Sequence, residues 1–244
     1  VGLHRIQRDR GDPREIIVYD IVFLSYHEPN AQEHWELVKT RFPRAQRVHG
    51  ISGIVAAHQL AASTCKTSYF WVIDGDNIVD EDFDFSYNWS RANVEDHVAV
   101  WRARNNVNGL EYGYGGIKLL PRRAVLAVSS KVVDFTTSIG GVFHAMDEVA
   151  STTIINSSPF EAWKAGFREC VKLSSGIIKG GITEENHQRL KQWMNNTNDV
   201  PNAFHCTVGA ISGYDYGITN GADTEALARI NDWEWLHEQF NRKT

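Results

Sequence analysis

The sequence is poor in the residues on which several simple readings would rest. Its three cysteines, Cys65, Cys170 and Cys206, are far apart and form no C-x-x-C. An odd, scattered set argues against a disulfide framework or a cysteine-bound metal, and for a reducing, cytoplasmic compartment. No apolar run approaches the roughly 18 residues of a membrane span, and no signal-peptide pattern is present. The chain is therefore expected to be soluble, with no membrane partner. It also lacks a basic excess. Formal net charge is -5, so bulk electrostatics gives no support to a nucleic-acid binder, although a local basic stripe is enough to grip phosphates. There is no internal repeat and no long linker. Three N-x-S/T matches, at Asn88, Asn156 and Asn195, carry no weight in an intracellular chain.

What is present is a globular balance, 42% hydrophobic and 23% charged, with eight Trp and eleven Phe to fill a large core. Residues 1–15 are charged and aperiodic and read as an N-terminal arm. "IIVYDIVFLSY" (16–26) is a continuous apolar run, the pattern of a strand covered on both faces. "EPNAQEHWELVKTRF" has helical spacing, with Trp35, Val38 and Phe42 on one side. A short strand with a glycine turn ("RVHGISG"), an alanine-rich helix ("IVAAHQLAASTC") and a third strand ("YFWVIDGD") follow. Strand, helix, strand, helix, strand is the pattern of a parallel sheet with crossover helices. Ligands of such sheets sit outside the carboxyl ends of the strands. Ser25–Tyr26, His49–Gly50 and Asp74–Asp76 should therefore meet at one crevice.

The second half is less regular. A strand is expected over 97–104 by alternation, then a structured Asn/Gly/Tyr-rich loop leading into a strand (105–120), and a helix opened by Pro121. Helices are expected over 158–173, with Phe160, Trp163, Phe167 and Val171 on one face, over 183–196, and once or twice within 223–240. Two glycine-aromatic stretches, "GYDYG" and "GITNGAD", read as a lid or as ordinary turns.

The aspartate pair in "YFWVIDGDN" is the sharpest chemical feature. Residues i and i+2 of a strand point to the same side, roughly 6–7 Å apart. Two like charges there repel by about 2–3 kcal/mol at an effective dielectric near 20. A divalent cation beside them reverses the sign, and hard carboxylate oxygens with no thiolate nearby favour Mg²⁺ or Mn²⁺ over zinc. Gly75 would let backbone and ligand approach closely. The alternative is a solvated turn whose charges face water. An EF-hand ladder is not met, because Ile78 occupies its fifth place. In "WRARNNVNGLEYGYGG" (101–116), Trp101, Tyr112 and Tyr114 offer faces for stacking on a base or sugar. Arg102, Arg104 and Asn105 offer phosphate contacts, with Asn108, Gly115 and Gly116 in the same segment. The bland alternative is a strand edge with its loop.

Together "DIVFLSYHEPNA", "RVHGISGIVAAH", "VIDGDN", "NGLEYGYGGIKLLP" and "SPFEAWKAGFRE", spread over residues 20 to 169, resemble GT-A glycosyltransferases, and more specifically those encoded by tailed bacteriophages. The resemblance implies an α/β fold: a GT-A-like single domain over 16–244, with a mostly parallel central sheet flanked by helices. Residues 16–100 would be the Rossmann-like nucleotide-binding half, and 101–244 the acceptor half with C-terminal helices. It implies a nucleotide-sugar donor, usually a UDP-sugar, with Mn²⁺ or Mg²⁺. By position, Ser25, Tyr26 and Glu28 would touch base and ribose, with His49, Gly50 and Gly53 nearby. Asp74, beside Gly75, would face ribose or metal, Asp76 the metal and diphosphate, and His205 would be a C-terminal metal ligand. Many inverting members carry their base in an E-D pair after the glycine pair. This sequence departs from that, and the base candidates are Glu161, Glu169, Asp134 and the Asp147–Glu148 pair. The phage resemblance implies DNA as acceptor, through a hydroxymethylated pyrimidine; a protein or glycan acceptor, and a non-catalytic binding module, stand beside it. A nucleotidyltransferase would show a glycine-rich basic loop after the first strand, where "SYHEPNAQ" has one acid and no Lys or Arg.

Overall fold

The computed structural model describes residues 18–87, 89, 96–112, 115–129, 135–177, 183–196 and 198–243. The arm expected over 1–15 lies outside them. The early alternation is realised as β1 (Asp20–Ser25), α1 (Ala31–Arg41), β2 (Gln46–His49), α2 (Ile54–Thr64) and β3 (Tyr69–Asp74). Next come β4 (Asn77–Val79), β5 (His97–Asn105), β6 (Glu111–Tyr112), β7 (Ile117–Pro121), α3 (Arg122–Ala127), α4 (Phe135–Ser138) and β8 (Val142–Thr153). The remaining elements are α5 (Pro159–Ser175), α6 (Glu184–Met194), α7 (Ala203–Asn220), α8 (Thr224–Ala228), a 3-10 turn (Arg229–Asn231) and α9 (Trp233–Lys243).

Among the described residues the strands form one sheet of order β2-β1-β3-β7-β5-β8-β4, with β6 paired to β5. β1 is parallel to β2 and β3, and β5 is parallel to β8. β7 lies antiparallel between β3 and β5, and β4 antiparallel on β8. Two antiparallel steps restore direction, so β2, β1, β3, β5 and β8 all run the same way. Their carboxyl ends share one edge, and the start of antiparallel β7 lies on that edge too, because Ile73 faces Ile117.

Alternate residues of β3 feed two cores. Trp71 and Ile73 pack with Phe23, Trp101, Leu119 and Val38 of α1; Phe70 and Val72 pack with Val22, Leu120 and the alanines of α2. All four β3 residues are fully buried, which is why the strand reads as an unbroken apolar run. Trp101 corrects the expectation of an acceptor-stacking face. It is 1% exposed, with its ring 4.7 Å from that of Trp71 and 5.6 Å from that of Phe83, so the core encloses it.

The helices on the other side of the molecule are packed differently. α5 starts with Ser158 accepting a hydrogen bond from the Glu161 N–H, then Pro159, and ends at Gly176 in the left-handed region. α7 crosses it at backbone contact. A Cβ at Gly209, Gly213 or Gly217 would fall on Trp163, Phe167, or Val171 and Ser174 of α5, and one at Gly166 on Cys206 and Ala210 of α7. The glycine-aromatic stretches expected to form a lid or turns are therefore largely helix, their glycines spent on close approach. Among the described residues no helix is long and apolar enough to cross a membrane.

Candidate functional site

The three strand ends meet as expected. The Ser25 hydroxyl, at the end of β1, lies 2.9 Å from His49 Nδ1 at the end of β2 and 3.3 Å from the donating Arg47 Nε. Gly50 N–H donates to the Ser25 carbonyl at 3.0 Å, with Gly50 at φ 74°. Gly53, at φ 92°, caps α2 and accepts from Ala57 N–H. Beyond β1, the Tyr26 N–H donates to Glu28 Oε2 at 2.7 Å, holding that carboxylate over the turn after β3. Gly75 sits beneath it: an added Cβ would lie 2.7 Å from Ser25 Cβ and 3.0 Å from Glu28 Oε2. Space alone therefore excludes any side chain there. His34, 3% exposed on α1, fixes the same turn by donating from Nδ1 to the Gly75 carbonyl at 2.9 Å.

Half of the charge of the aspartate pair, that of Asp74, is answered within the chain. Both Asp74 carboxylate oxygens accept from Lys118 Nζ, at 2.6 and 2.7 Å. The register explains it: Lys118 lies opposite Val72, so its side chain is diagonal to Asp74 on the same face of the sheet. Lys118 is 5% exposed, whereas the Asp74 side chain keeps about a third of its surface open (34%). Burial nevertheless pushes the Asp74 carboxyl up to about 6; Lys118 opposes the shift, and Asp76 and Glu28 add to it. Burial also raises Glu28, with Asp76 contributing and Lys164 opposing. Asp76 Oδ1 accepts from Asn77 Nδ2 at 2.7 Å, and its backbone carbonyl accepts from Ile154 N–H.

Lys164 supplies the second cation. It lies on α5, 6% exposed, bonded to Glu161 Oε2 at 2.5 Å, with its ammonium 3.5 Å from the centre of the Trp233 ring. Burial lowers its pKa, against the pull of Glu161 and Asp76. Trp233, at the start of α9, also meets Tyr26 edge-on at 5.5 Å. Glu28, Asp74, Asp76 and Glu161 thus alternate with Lys118 and Lys164 around one edge. Sequence reasoning passed over Lys118, Lys164, His34 and Trp233. A usable signal existed for the lysines: each interrupts an otherwise apolar pattern, "GIKLLP" and "AWKAGF".

Of the other expected site residues, Glu161 and Gly116 border this edge. Glu161, a base candidate, is committed to Lys164 and only 14% exposed. Glu169 is eight residues further along α5, about 12 Å from Glu161 along the helix axis, away from the end that meets the site. Asp134 lies outside the described residues, and Asp147 pairs with Arg102 at 2.9 Å on exposed surface. Arg104 is held by Glu111 across β5–β6. Asn105 Oδ1 accepts from Val107 and Asn108 N–H, and Asn108 Oδ1 from Leu110 N–H, so both side chains shape the loop. Asn108 is 6% exposed and has no acceptor-facing surface. Tyr112 pairs with Ala103 through β6; its side chain, like Tyr114, lies outside the described residues. Gly116 accepts from Asp74 N–H and leaves no room for a Cβ beside Asn77, while Gly115 has open space around it.

His205 is not brought to the aspartates. It stands in the first turn of α7, beside Phe204 and Phe240, lining with Asn196 and Asn202 an open cavity of about 480 Å³. Among the described residues no three His, Cys, Asp or Glu side chains converge where a metal ion could sit. With Asp74 held by Lys118 as well, the donor set does not fit a resident ion.

No protein-family model and no curated protein matches the chain. Solved structures do, at low identity. The mannosyltransferase PcManGT from Pyrobaculum calidifontis, in complex with GDP-Man and Mn²⁺, is 13% identical, covering 88% of this chain and 88% of its own, with a TM-score of 0.47. HddC from Yersinia pseudotuberculosis is 19% identical, covering 53% of this chain and 69% of its own, with a TM-score of 0.35. A glycosyltransferase involved in the glycosylation of the major capsid of PBCV-1 is 15% identical, covering 52% of this chain and 82% of its own, with a TM-score of 0.32. These likenesses concern the arrangement of strands and helices.

Proposed function

We propose that the carboxyl edge of the sheet binds a nucleotide sugar and that the protein transfers the sugar to a hydroxyl acceptor. The observation that carries this reading is the meeting of Ser25 and His49, Glu28, and Asp74-Gly75-Asp76 at the ends of three adjacent parallel strands, around a glycine with no room for a side chain. In such a transfer the bond from the sugar's anomeric carbon to the diphosphate breaks and one to the acceptor oxygen forms. Ser25, His49 and Tyr26 line the place for base and ribose, and Asp76 lies where the diphosphate would end. A divalent ion brought by the nucleotide would neutralise negative charge growing on the leaving diphosphate. UDP-sugars follow from the sequence resemblance, and a GDP-sugar from the ligand of PcManGT.

For the acceptor, the enclosed Trp101 removes one stacking face on which a DNA reading drew, and the exposed Arg102 and Arg104 are partly balanced by Asp147 and Glu111. This favours a glycan or protein hydroxyl over hydroxymethylated DNA. The test offers purified protein UDP- and GDP-sugars with Mn²⁺ or Mg²⁺, and glycan, protein, plain and hydroxymethylated DNA acceptors, reading mass gain on each. Sugar on any acceptor, lost in Asp76→Ala, supports the reading. No nucleotide binding and no donor hydrolysis, with Asp76→Ala indistinguishable from the parent, overturns it.

A further inference from the structure

The aspartate pair has two members with different fates. Asp74 is spent: both its oxygens are within hydrogen-bond distance of one buried ammonium. An ion sharing those oxygens would meet the repulsion of the Lys118 ammonium bonded to both of them, and displacing Lys118 would leave a buried charge without a partner. Lys118 has no other hydrogen-bond acceptor among the described residues, and the neighbour that feels its charge from α2, His58, is itself buried. Asp76, by contrast, has one oxygen engaged by Asn77 and the other without a described partner. One free carboxylate is a poor cage for Mg²⁺ or Mn²⁺, which keep several waters and rely on substrate phosphates for the rest of their shell. Even with Arg47 beside Ser25 counted with Lys118 and Lys164, the acids Glu28, Asp74, Asp76 and Glu161 are in excess, so a diphosphate arriving without a counter-ion finds no net positive charge to hold it.

We propose that Lys118 withdraws Asp74 from metal binding, so that a divalent ion enters this site only together with the nucleotide's diphosphate, with Asp76 as its carboxylate ligand. Lys118 is then a positioning residue: it holds Asp74 as a fixed hydrogen-bond acceptor and sets the order in which ion and nucleotide arrive. The inference rests on the reading of this edge as a diphosphate site, and its test separates the two.

Mn²⁺ is titrated into nucleotide-free protein, following the signal of the free aquo ion by electron paramagnetic resonance, and the titration is repeated with saturating UDP or GDP. The parent protein alone is expected to leave Mn²⁺ free through the low millimolar range, and to take it up with one of the nucleotides. Lys118→Met, which frees Asp74, is expected to bind Mn²⁺ without nucleotide at least about tenfold more tightly than the parent. Adding Asp74→Asn to that variant should remove the gain, and Lys118→Arg should behave as the parent does. Micromolar Mn²⁺ binding by the nucleotide-free parent overturns the proposal, and this measurement needs no variant to fold. A folded Lys118→Met protein with unchanged Mn²⁺ affinity overturns it too; Lys118→Gln repeats this arm if circular dichroism shows the methionine variant unfolded. If the nucleotide-free arms come out as expected but no nucleotide binds, the diphosphate reading fails and takes the ordered entry with it, leaving only the withdrawal of Asp74 by Lys118.

Discussion

The sheet and the α5–α7 pair reach close packing by opposite means. Around β3, bulk fills the space: Trp71, Trp101, Phe83 and Phe85 meet ring against ring at 4.7–5.8 Å. Between α5 and α7, the lack of bulk does, with four glycines letting backbones touch. The two regions also contribute differently to the site. The sheet presents the strand ends and the Asp74–Lys118 pair, while α5, buttressed by α7, brings Lys164 and Glu161 to the same edge. Large apolar side chains announce themselves in a sequence, and missing ones do not.

The contrast can be broken from either side, and the largest effect is expected in the sheet. Trp101→Ala should lose about 3–5 kcal/mol of unfolding free energy in urea titration, the cost of a large cavity at a site enclosed on all sides. A surface stacking residue would instead leave stability nearly unchanged and lower only acceptor affinity. In the helical region the sign of the change in volume reverses. Gly213→Val should cost about 3 kcal/mol, at the upper end of overpacking, because the obstacle is the α5 backbone and not a side chain able to turn away. Lys118→Met should cost about 2 kcal/mol, less than a fully buried pair, since Asp74 keeps a third of its surface in solvent.

Asp74 also gives the site a dependence on pH. Its folded pKa of about 6 lies above the ordinary 3.8. Between those values the folded state holds more proton than the unfolded one, so stability falls as pH rises from about 4 to 6. Asp74→Asn should flatten that part of the profile, seen as a smaller drop in Tm across the window than in the parent. The smallest effect is expected at Arg104. Its pair with Glu111 is about half exposed on both sides, so Arg104→Ala should change stability by about 0.5 kcal/mol or less, with weaker binding only of an anionic acceptor.

How much of this was legible follows from where each signal is stored. β1 through β3 carry their periods in runs of large apolar residues, and the Asp74–Asp76 pair is local, so the alternation and the strand ends could be placed in advance. The partner of Asp74 could not, because Lys118 is brought there by an antiparallel register between distant strands. Reading the pair alone led to an external cation as the whole answer to its repulsion, when half of the answer is an ammonium from β7. α7 was missed for a different reason. Its contact face is Gly209, Gly213 and Gly217, residues that read as turns when counted singly and as a helix face only when their spacing of four is noticed. His205 was a ligand candidate through the family resemblance alone, with no local pattern behind it; it stands in the first turn of α7, beside Phe204 and Phe240.

The contact between Tyr26 and Trp233 also bears on the order of biosynthesis. Trp233 covers the Lys164 ammonium and touches the segment after β1, yet it comes from the opposite end of the described sequence. A ribosome delivers β1 through β3 long before α9, and folding units tend to form in the order they emerge. The strand ends can assemble early on the nascent chain, but the edge that holds Lys164 stays uncovered until α9 has been made. Nucleotide binding in ribosome-bound chains stalled before and after Trp233 would time that step.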